Sequence, residues 1–497
     1  MFKNWKTILA VFVILLLTVN ATCLAAKDQI AIALQDEPTT LDPQFADDGN
    51  MRVVTDSIFD KLLVLDGKTL EPMPCLAIEW EPISDITWQF KLRENVKFHN
   101  GEPFTAEDAV YSIKRIIDPA FNSQIAGDFS TIKDAKIINP NTILIITNGP
   151  DPILLKRLTF LDIVNKKYME SSAENLINTK PVGTGPYLLI EWNRGVEIKL
   201  EKFDDYWGEK PNIQNVTYRF IQENSTRLAA LKAGEIDLAL EMLPEYLDQL
   251  PAYKTANSIE FFWLRFNTIR GIMQNKLIRQ AVNYAIDKEA IVEALFLGSA
   301  VPARGQLSKE GYFGFNKNLN AYPFDPEKAK GLLKEAGYKG ELVQLISERG
   351  RFMKDGEISE AIASMISDVG INVKLTFLSW QQWLDTLFDL EKAPDIMFSS
   401  NGNEFFDSDR FYQAIIKTGG TQSAYSNPDI DKKIDAARYE MDPVKRQAMY
   451  EELAQLVYDD PFGVSLINIK SIWGISEDLE WEPREDGRIM ISEMSFK

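Results

Sequence analysis

The sequence predicts an α/β protein with at least two lobes. Strand patterns alternate with helical patterns along the chain, most clearly after residue 267, and this alternation is typical of α/β folds. The length of 497 residues allows more than one domain of about 150 residues. The sequence has no internal repeat and no low-complexity linker. We therefore expect short crossovers between the lobes, with residues 259–267 and 467–472 as candidates.

In the first half of the chain, apolar runs and alternation mark the strands, and capping signals mark the helices. Thr105 is a suitable N-cap, and Asp108 places negative charge in the first turn of the helix that follows. Gly234 is a typical C-terminal stop for another helix. The predicted strands are residues 29–34, 87–92, two runs within 133–147, 187–192, 196–203 and 216–221, and the predicted helices are residues 56–65, 105–117, 152–160, 166–175 and 226–233.

The second half has longer helical patterns. Asp325 caps a helix that has Pro326 at its first position, and Ser379 with Gln382 forms a capping-box pattern. Residues 278–286 follow helical spacing on one apolar face. Further helices are predicted at residues 356–368 and 442–460, and strands at residues 259–266, 342–346, 371–377, 395–398 and 464–469.

Residues 180–211, KPVGTGPYLLIEWNRGVEIKLEKFDDYWGEKP, predict a tight turn that feeds a β-hairpin. Gly183 and Gly185 form this turn with Thr184 and Pro186, and glycine allows φ values that other residues avoid. A glycine-rich turn also suggests phosphate binding. However, the GxGxxG spacing is missing, no GK[ST] follows, and the turn leads into a strand rather than a helix. A structural turn is therefore predicted.

The N-terminus has the features of a cleaved signal peptide. Lys3 and Lys6 precede an apolar segment at residues 8–19, and small residues follow, so we expect cleavage after Ala25 or Ala26. The residues before Cys23 do not fit a lipid-attachment motif, so we expect no lipid anchor. No later run of about 18 apolar residues exists, so we expect a soluble protein that is exported by way of the signal peptide.

The composition excludes several functions. The formal charge of −19 becomes −21 when Lys3 and Lys6 are removed. This charge disfavours nucleic acid and anionic membranes as partners, and it favours a cationic or zwitterionic ligand. Without Cys23, only Cys75 remains, so no internal disulfide forms and a buried apolar role is expected. His99 is the only histidine, which removes most histidine-based catalysis and multi-histidine zinc sites. We expect no cofactor.

Several segments resemble family 5 of the extracellular solute-binding proteins, the dipeptide- and oligopeptide-binding proteins of ABC importers. The clearest is residues 98–115, FHNGEPFTAEDAVYSIKR. Other matching segments follow the family order across nearly the whole mature chain. They are residues 37–43 (EPTTLDP), 180–207, 224–237 (NSTRLAALKAGEID), 279–291 (RQAVNYAIDKEAI), 425–434 (YSNPDIDKKI) and 442–461.

The resemblance implies a large, type II-like periplasmic binding protein fold, in which two lobes close over a ligand by a hinge motion. Lobe I is expected at residues 27–266, with an inserted subdomain at about residues 55–180, and lobe II at residues 267–472. Residues 473–497 are expected to return to lobe I. The implied function is capture of a peptide or peptide-like solute, as a monomer, for ABC permease subunits in the inner membrane. Metal–chelator complexes, opines and sugars remain alternative ligands.

In peptide-binding family members, an aspartate in a lobe II loop pairs with the ligand's α-ammonium. The comparable stretch here is residues 401–411, NGNEFFDSDRF. Asp407 and Phe411 keep the family spacing, which puts Glu404 at the position of the ammonium-binding aspartate. A carboxylate in a closing cleft can pair a cation by charge-assisted hydrogen bonds. A solvated position for Glu404 remains the alternative.

Other candidates come from the same resemblance. Some dipeptide binders hold the ligand carboxylate with an arginine, and Arg349 and Arg351 follow a predicted lobe II strand. For each arginine, a solvated position is an equal alternative. Trp380 is a cleft-wall candidate, with core packing as its default role. The residues expected to contact the ligand are Glu404, Asn403, Phe405, Asp407, Arg349, Arg351, Trp380, Asn267, Glu37 and Thr40.

An enzyme is the third hypothesis. Asp407 and Asp409 could act as a pair of catalytic carboxylates, as in some hydrolases. Acidic pairs in loops are common and mostly solvated, and no orienting histidine accompanies them. The sequence therefore favours a binding protein without catalytic residues.

Overall fold

The computed structural model describes residues 27–46, 48–390 and 392–497. The predicted signal peptide, with Cys23, lies outside these residues. The strands are β1 (Gln29–Leu34), β2 (Leu63–Leu65), β3 (Pro72–Pro74), β4 (Ala77–Ser84), β5 (Thr87–Leu92), β6 (Ile132–Asn139), β7 (Thr142–Thr147), β8 (Tyr187–Asn193), β9 (Glu197–Lys202), β10 (Asn215–Phe220), β11 (Leu238–Ala239), β12 (Ala252–Phe266), β13 (Ala300–Pro302), β14 (Val343–Ser347), β15 (Val373–Phe377), β16 (Ile396–Asn401), β17 (Gly463–Ile475), β18 (Leu479–Glu480) and β19 (Ser495–Phe496).

The α-helices alternate with these strands along most of the chain. They are α1 (Gly49–Ile58), α2 (Ala106–Ile117), α3 (Leu154–Leu158), α4 (Lys166–Ser171), α5 (Glu174–Thr179), α6 (Asn224–Lys232), α7 (Lys276–Ala285), α8 (Lys288–Phe296), α9 (Pro326–Glu335), α10 (Asp355–Asp368), α11 (Trp380–Phe388), α12 (Ser408–Phe411), α13 (Pro428–Tyr439) and α14 (Pro443–Asp459). Within the described ranges, no helix combines the length and apolar character needed to cross a membrane.

Capping signals gave the most accurate predictions. Thr105 and Asp108 form the capping box of α2, and Ser379 and Gln382 form that of α11. The helix predicted at residues 56–65 is wrong, because α1 ends at Ile58 and residues 63–65 form β2. The helix starts earlier since Asp48 accepts hydrogen bonds from the first backbone N–H groups. The apolar residues after it pair with β3 instead.

The largest sheet among the described residues has eleven strands. Their order is β15-β14-β16-β12-β17-β11-β1-β10-β9-β8, and β13 pairs with β17. β1 pairs in parallel with β10 and β11, whereas β12 and β17 are antiparallel. The fold is therefore α/β with a mixed sheet, as the sequence predicts.

The long strands β12 and β17 connect the two ends of this sheet. The first residues of β12 pair with the end of β17, near β11, and its last residues pair with both β17 and β16. The register shifts between Asn257 and Phe261, which leaves Glu260 at an irregularity in the middle of the pair. A break of this kind bends a strand and re-aims its side chains. Residues 258–260 thus lie where β12 passes from the β11 side of the sheet to the β16 side.

A separate four-stranded antiparallel sheet, β4-β5-β7-β6, lies in the segment where the sequence predicts an inserted subdomain. Helix α2 packs on it, and Phe90, Phe98 and Ile113 are fully buried in the shared core. Cys75 is buried in the same core. The side chain of Phe405, from the loop after β16, also belongs to this core, so that loop is in direct contact with the predicted subdomain.

The glycine turn of residues 183–186 contacts two segments that are distant in sequence, one at His99 and one at Asp60. His99 donates its backbone N–H to Gly183 O (2.9 Å), and its Nε2 donates to Gly185 O (3.0 Å). Burial lowers the pKa of His99 to about 4, so the ring is neutral. On the other side, Asp60 accepts hydrogen bonds from Thr184 Oγ1 (2.9 Å) and Trp207 Nε1 (2.7 Å). The turn is therefore a structural joint, as predicted.

Asp60→Asn is expected to change the pH dependence of stability. Burial raises the pKa of Asp60 to about 6, against an ordinary value of 3.8. Folding therefore favours the protonated form, and stability is lost as the pH rises from about 4 to about 6, because the unfolded carboxyl group ionises in this range before the folded one does. Relative to the wild type, the variant should gain about 2 kcal/mol of unfolding free energy between about pH 4 and pH 7. Urea unfolding of both proteins at the two pH values measures this gain. An equal difference between variant and wild type at both pH values would contradict it.

Candidate ligand-binding site

The loop after β16 carries the first group of predicted site residues into the contact between the lobes. Phe405 is fully buried and packs edge-on against Phe160 of the subdomain, with ring centroids 5.9 Å apart. Two ion pairs cross the same contact, Arg157 with Asp409 and Arg410 with Asp128, each at 3.3 Å. Phe405 therefore anchors the loop after β16 to the predicted subdomain of lobe I.

Glu404 lies between two guanidinium groups. It forms ion pairs with Arg410 on its own lobe and with Arg52 of α1, whose Nη2 is 3.6 Å from Glu404 Oε1. The Glu404 side chain is 14% exposed. The carboxylate is thus at the lobe contact, where its charge is already balanced by two cations.

Asn403 and Asp407 shape this loop from within. Asn403 Nδ2 donates to the Asp407 carbonyl (2.8 Å), and Asn403 Oδ1 accepts from the Phe405 N–H (3.2 Å). Asp407 accepts two 2.7 Å hydrogen bonds from the guanidinium of Arg446 and caps α12 through the Asp409 N–H. Both side chains are buried and are occupied by protein groups.

The two candidate arginines have different surroundings. Arg349 is ion-paired with the exposed Glu360 and lies over Phe377. Arg351 lies over the Trp380 ring, with its guanidinium carbon 5.2 Å from the ring centroid. Trp380 in turn stacks on Trp383, with centroids 4.9 Å apart and planes 13° from parallel. Trp380 keeps 39% of its surface exposed, so Arg351 and Trp380 form an accessible cation–aromatic unit.

Glu37, Thr40 and Asn267 are held by groups of their own neighbourhoods. Glu37 accepts from Trp192 Nε1 (2.8 Å) and the Gly195 N–H (3.1 Å), and thereby fixes the hairpin turn. Thr40 Oγ1 donates to Asn178 Oδ1 (3.0 Å). Asn267 lies one residue beyond β12, far from the irregularity of that strand. Its side chain donates to the Ala393 carbonyl (3.2 Å). The structure does not bring these three residues to Glu404.

Two carboxylates that the sequence analysis missed lie between the lobes. Glu260, at the β12 irregularity, accepts from Ser400 Oγ at 3.5 Å. Burial raises its pKa, and the positive charges of Arg351, Lys309 and Arg52 oppose this effect. A carboxylate directly before the apolar run FFWL is a signal that could have identified it.

Glu241 is the second of these carboxylates. Its backbone has a left-handed φ of 54°, which is uncommon for a residue other than glycine and occurs often at functional sites. The buried Arg227 donates to the Glu241 carbonyl (3.2 Å) and fixes this backbone. Burial raises the pKa of Glu241, the charge of Glu260 adds to the effect, and Arg227 and Arg351 oppose it. Glu241 is nevertheless exposed at the surface, where a ligand can reach it.

Lys309 completes the set of charged groups. Its ammonium donates to the Ser258 carbonyl, beside the β12 irregularity. Burial lowers its pKa to about 8, and the charges of Glu260 and Glu485 oppose this effect. The site therefore presents carboxylates and cations within one interlobe region, so both ends of a zwitterion can find partners. The described part of the chain contains no cluster of three His, Cys, Asp or Glu side chains suited to a metal ion.

The two-lobed fold and the charged region between the lobes define a solute-binding protein of ABC importers. The profile described as "Bacterial extracellular solute-binding proteins, family 5 Middle" matches residues 71–423, and the chain belongs to this family. This confirms the family resemblance read from the motifs. The family and its structural neighbours are binding proteins.

Three relatives illustrate the similarity. The glutathione-binding protein GsiB of Escherichia coli (strain K12) is 26% identical in an alignment of 481 positions that covers 92% of this chain and 92% of its own. The ABC transporter-associated periplasmic binding protein DppA of Helicobacter pylori, in complex with the peptide STSA, is 26% identical, with a TM-score of 0.81 over 95% of this chain and 98% of its own. AgaA of A. tumefaciens R10, in complex with agropinic acid, is 25% identical, with a TM-score of 0.81 over 94% and 99%.

Proposed function

We propose that this protein captures a peptide or peptide-like solute between its lobes and delivers it to an ABC permease. The observation that carries the proposal is the set of opposite charges around Glu260, which has Arg351, Lys309 and Arg52 among its electrostatic neighbours. Such a region suits a solute with both an ammonium and a carboxylate. The relatives described as binding glutathione and the peptide STSA support the same class of ligand.

Within this proposal, the ligand's ammonium pairs with Glu260 and Glu241. Both carboxylates have raised pKa values because of burial, and an incoming cation would stabilise their charged forms. The ligand's carboxylate pairs with Arg351, whose planar guanidinium suits a bidentate contact. Trp380, beneath Arg351, then forms part of the wall beside the carboxylate end.

Glu404 is the competing partner for the ammonium. Its family-like position favours this role, but Arg410 and Arg52 already pair with its carboxylate. A ligand ammonium would have to replace one of these arginines, and the loss of an existing ion pair would offset part of the gain. We therefore place Glu260 ahead of Glu404.

Glu260→Gln is expected to weaken binding of a zwitterionic peptide by about 10- to 100-fold. This range corresponds to the loss of one hydrogen bond to a charged group, about 1.5 to 3 kcal/mol. Isothermal titration calorimetry with glutathione and with Ser-Thr-Ser-Ala measures the change, and N-acetylated Ser-Thr-Ser-Ala tests the ammonium separately. The acetylated peptide with the wild-type protein, and the unmodified peptide with Glu260→Gln, should lose affinity by the same factor.

Two further variants make this test specific. Glu477→Gln changes an exposed carboxylate near the C-terminal end of β17 and should leave affinity unchanged. Glu404→Gln is the direct comparison. A large loss in Glu404→Gln with none in Glu260→Gln would contradict our ordering and support the family-like assignment.

A non-peptide solute is the second candidate. The similarity to AgaA in complex with agropinic acid favours it, since this relative is nearly as similar as the peptide-bound DppA. Metal–chelator complexes and sugars belong to the same non-peptide class. Competition calorimetry decides between the classes: displacement of a bound peptide by agropinic acid, with tighter binding, would favour the non-peptide candidate.

The proposal places the mature protein in the periplasm as a monomer, with signal-peptide cleavage near Ala25 or Ala26. The cited DppA relative is described as a periplasmic binding protein. A catalytic role for Asp407 and Asp409 is not proposed, because these carboxylates are engaged by Arg446 and Arg157. Mass spectrometry of the exported protein and analytical ultracentrifugation test the cleavage site and the oligomeric state.

A further inference from the structure

Two buried carboxyl groups lie beneath the loop that carries Arg351. Glu348 follows β14 and Asp355 begins α10, and their exposed fractions are 1% and 2%. Asp355 accepts the backbone N–H groups of Gly350 (2.9 Å), Arg351 (2.9 Å) and Phe352 (2.8 Å). Glu348 Oε2 accepts the same Arg351 N–H at 3.3 Å. Both carboxyl groups therefore converge on the backbone of Arg351.

The two carboxyl groups differ in how well their charges are stabilised. Asp355 accepts hydrogen bonds from a set of backbone N–H groups. Glu348 has one long hydrogen bond, and within the described residues its Oε1 is buried without a partner. The nearby charges are Arg351 on the same loop and Lys354, which is ion-paired with Glu245 of lobe I at 2.7 Å. Two adjacent buried carboxylates cannot readily both ionise, so the remaining proton belongs on Glu348.

We infer that Glu348 keeps this proton, uses it to donate a hydrogen bond to Asp355, and thereby holds the loop in the shape that presents Arg351 to the ligand's carboxylate. Glu348 is then a positioning residue for solute capture, and this role rests on the proposed function. Burial, joined by the hydrogen bond and the charge of Asp355, raises the pKa of Glu348 to about 8, which agrees with the geometry. Deprotonation at higher pH places two negative charges in contact and loosens the loop.

Experiments without ligand test the proton and the loop. At about pH 7.5, infrared difference spectra should show the C=O stretch of one protonated buried carboxyl group that is absent from Glu348→Gln. Amide hydrogen exchange at residues 350–352 should accelerate beyond its intrinsic pH dependence above about pH 8 in the wild type, but not in Glu348→Gln, where the side-chain amide replaces the shared proton. Identical spectra, or identical exchange profiles, would overturn the inference.

Binding experiments test the positioning role. With glutathione and Ser-Thr-Ser-Ala as probes, Glu348→Gln should keep wild-type affinity at about pH 7.5, because its amide still donates to Asp355. The ligand's ammonium loses its proton at higher pH in every variant, so the readout is the affinity relative to Glu348→Gln at the same pH. By about pH 9.5 the wild type should bind about 10-fold more weakly than Glu348→Gln, and Glu348→Ala should bind about 10-fold more weakly than Glu348→Gln at either pH. Wild-type affinity in Glu348→Ala, or a wild-type pH profile in Glu348→Gln, would overturn this role. If neither probe binds the wild type, the proposed function fails for peptides, and the ligand-free experiments still decide the proton and the loop.

Discussion

Arg446→Met is expected to lower the free energy of unfolding by about 3 to 5 kcal/mol. Arg446 lies on α14 and donates two 2.7 Å hydrogen bonds to the carboxylate of Asp407, and both side chains are almost fully buried. Burial lowers the pKa of Arg446, but the negative charge of Asp407 and its hydrogen bonds with the guanidinium outweigh this effect. The pKa of Arg446 is therefore raised above its already high ordinary value. Methionine keeps much of the apolar volume but leaves Asp407 charged, buried and unpaired. Urea unfolding measures the loss.

Two comparisons separate the buried charge from other effects of the change. Lys445→Met, one position earlier on α14, alters a side chain that is 70% exposed and 3.9 Å from its partner Asp442, so it should shift stability by less than about 0.5 kcal/mol. Adding Asp407→Asn to Arg446→Met removes the unpaired charge and retains a cap for α12. This double variant should recover at least about 1 kcal/mol. No recovery would mean that lost packing, and not the unpaired charge, explains the result.

The same ion pair shows where sequence reasoning about the site reached its limit. The spacing around Asp407 and Phe411 pointed to a loop that lies at the contact with Phe160 and Arg52, but it could not divide the roles within that loop. Asp407 is engaged by Arg446 and Glu404 by Arg52, and both arginines come from distant parts of the chain. Their proximity is set by tertiary packing, which residue spacing does not reveal.

Glu241 and Glu260 were missed for a related reason. Neither belongs to a motif with characteristic spacing, and their significance comes from Arg351, which another lobe contributes. The fold was easier to predict, because helix caps and hydrophobic alternation are local signals. These signals were sufficient to predict elements such as β1, β5 and α2. The helix expected at residues 56–65 failed where a local pattern competed with the pairing of β2 and β3.

Gly183→Ala is expected to cost about 3 kcal/mol or more of unfolding free energy. A Cβ atom at this position would lie 2.0 Å from the carbonyl oxygen of Ile58 and 2.9 Å from the ring of Phe59. Our sequence reasoning gave the wrong cause for this glycine, because Gly183 does not adopt a left-handed φ. Glycine is required because α1 ends against the turn, and the Ile58 carbonyl accepts the N–H of Gly185 at 2.9 Å. Thermal and urea unfolding measure the effect.

Gly127→Ala is the matched control, since a Cβ atom there meets nothing within 4 Å and the residue has no left-handed φ. It should change stability by less than about 0.5 kcal/mol. Gly185→Ala should behave like Gly183→Ala, because its Cβ would lie 2.6 Å from the Ile58 carbonyl carbon. A small loss in both turn variants would show that α1 can move away from the turn. In that case the joint between the His99 motif and the hairpin would be less rigid than its hydrogen bonds indicate.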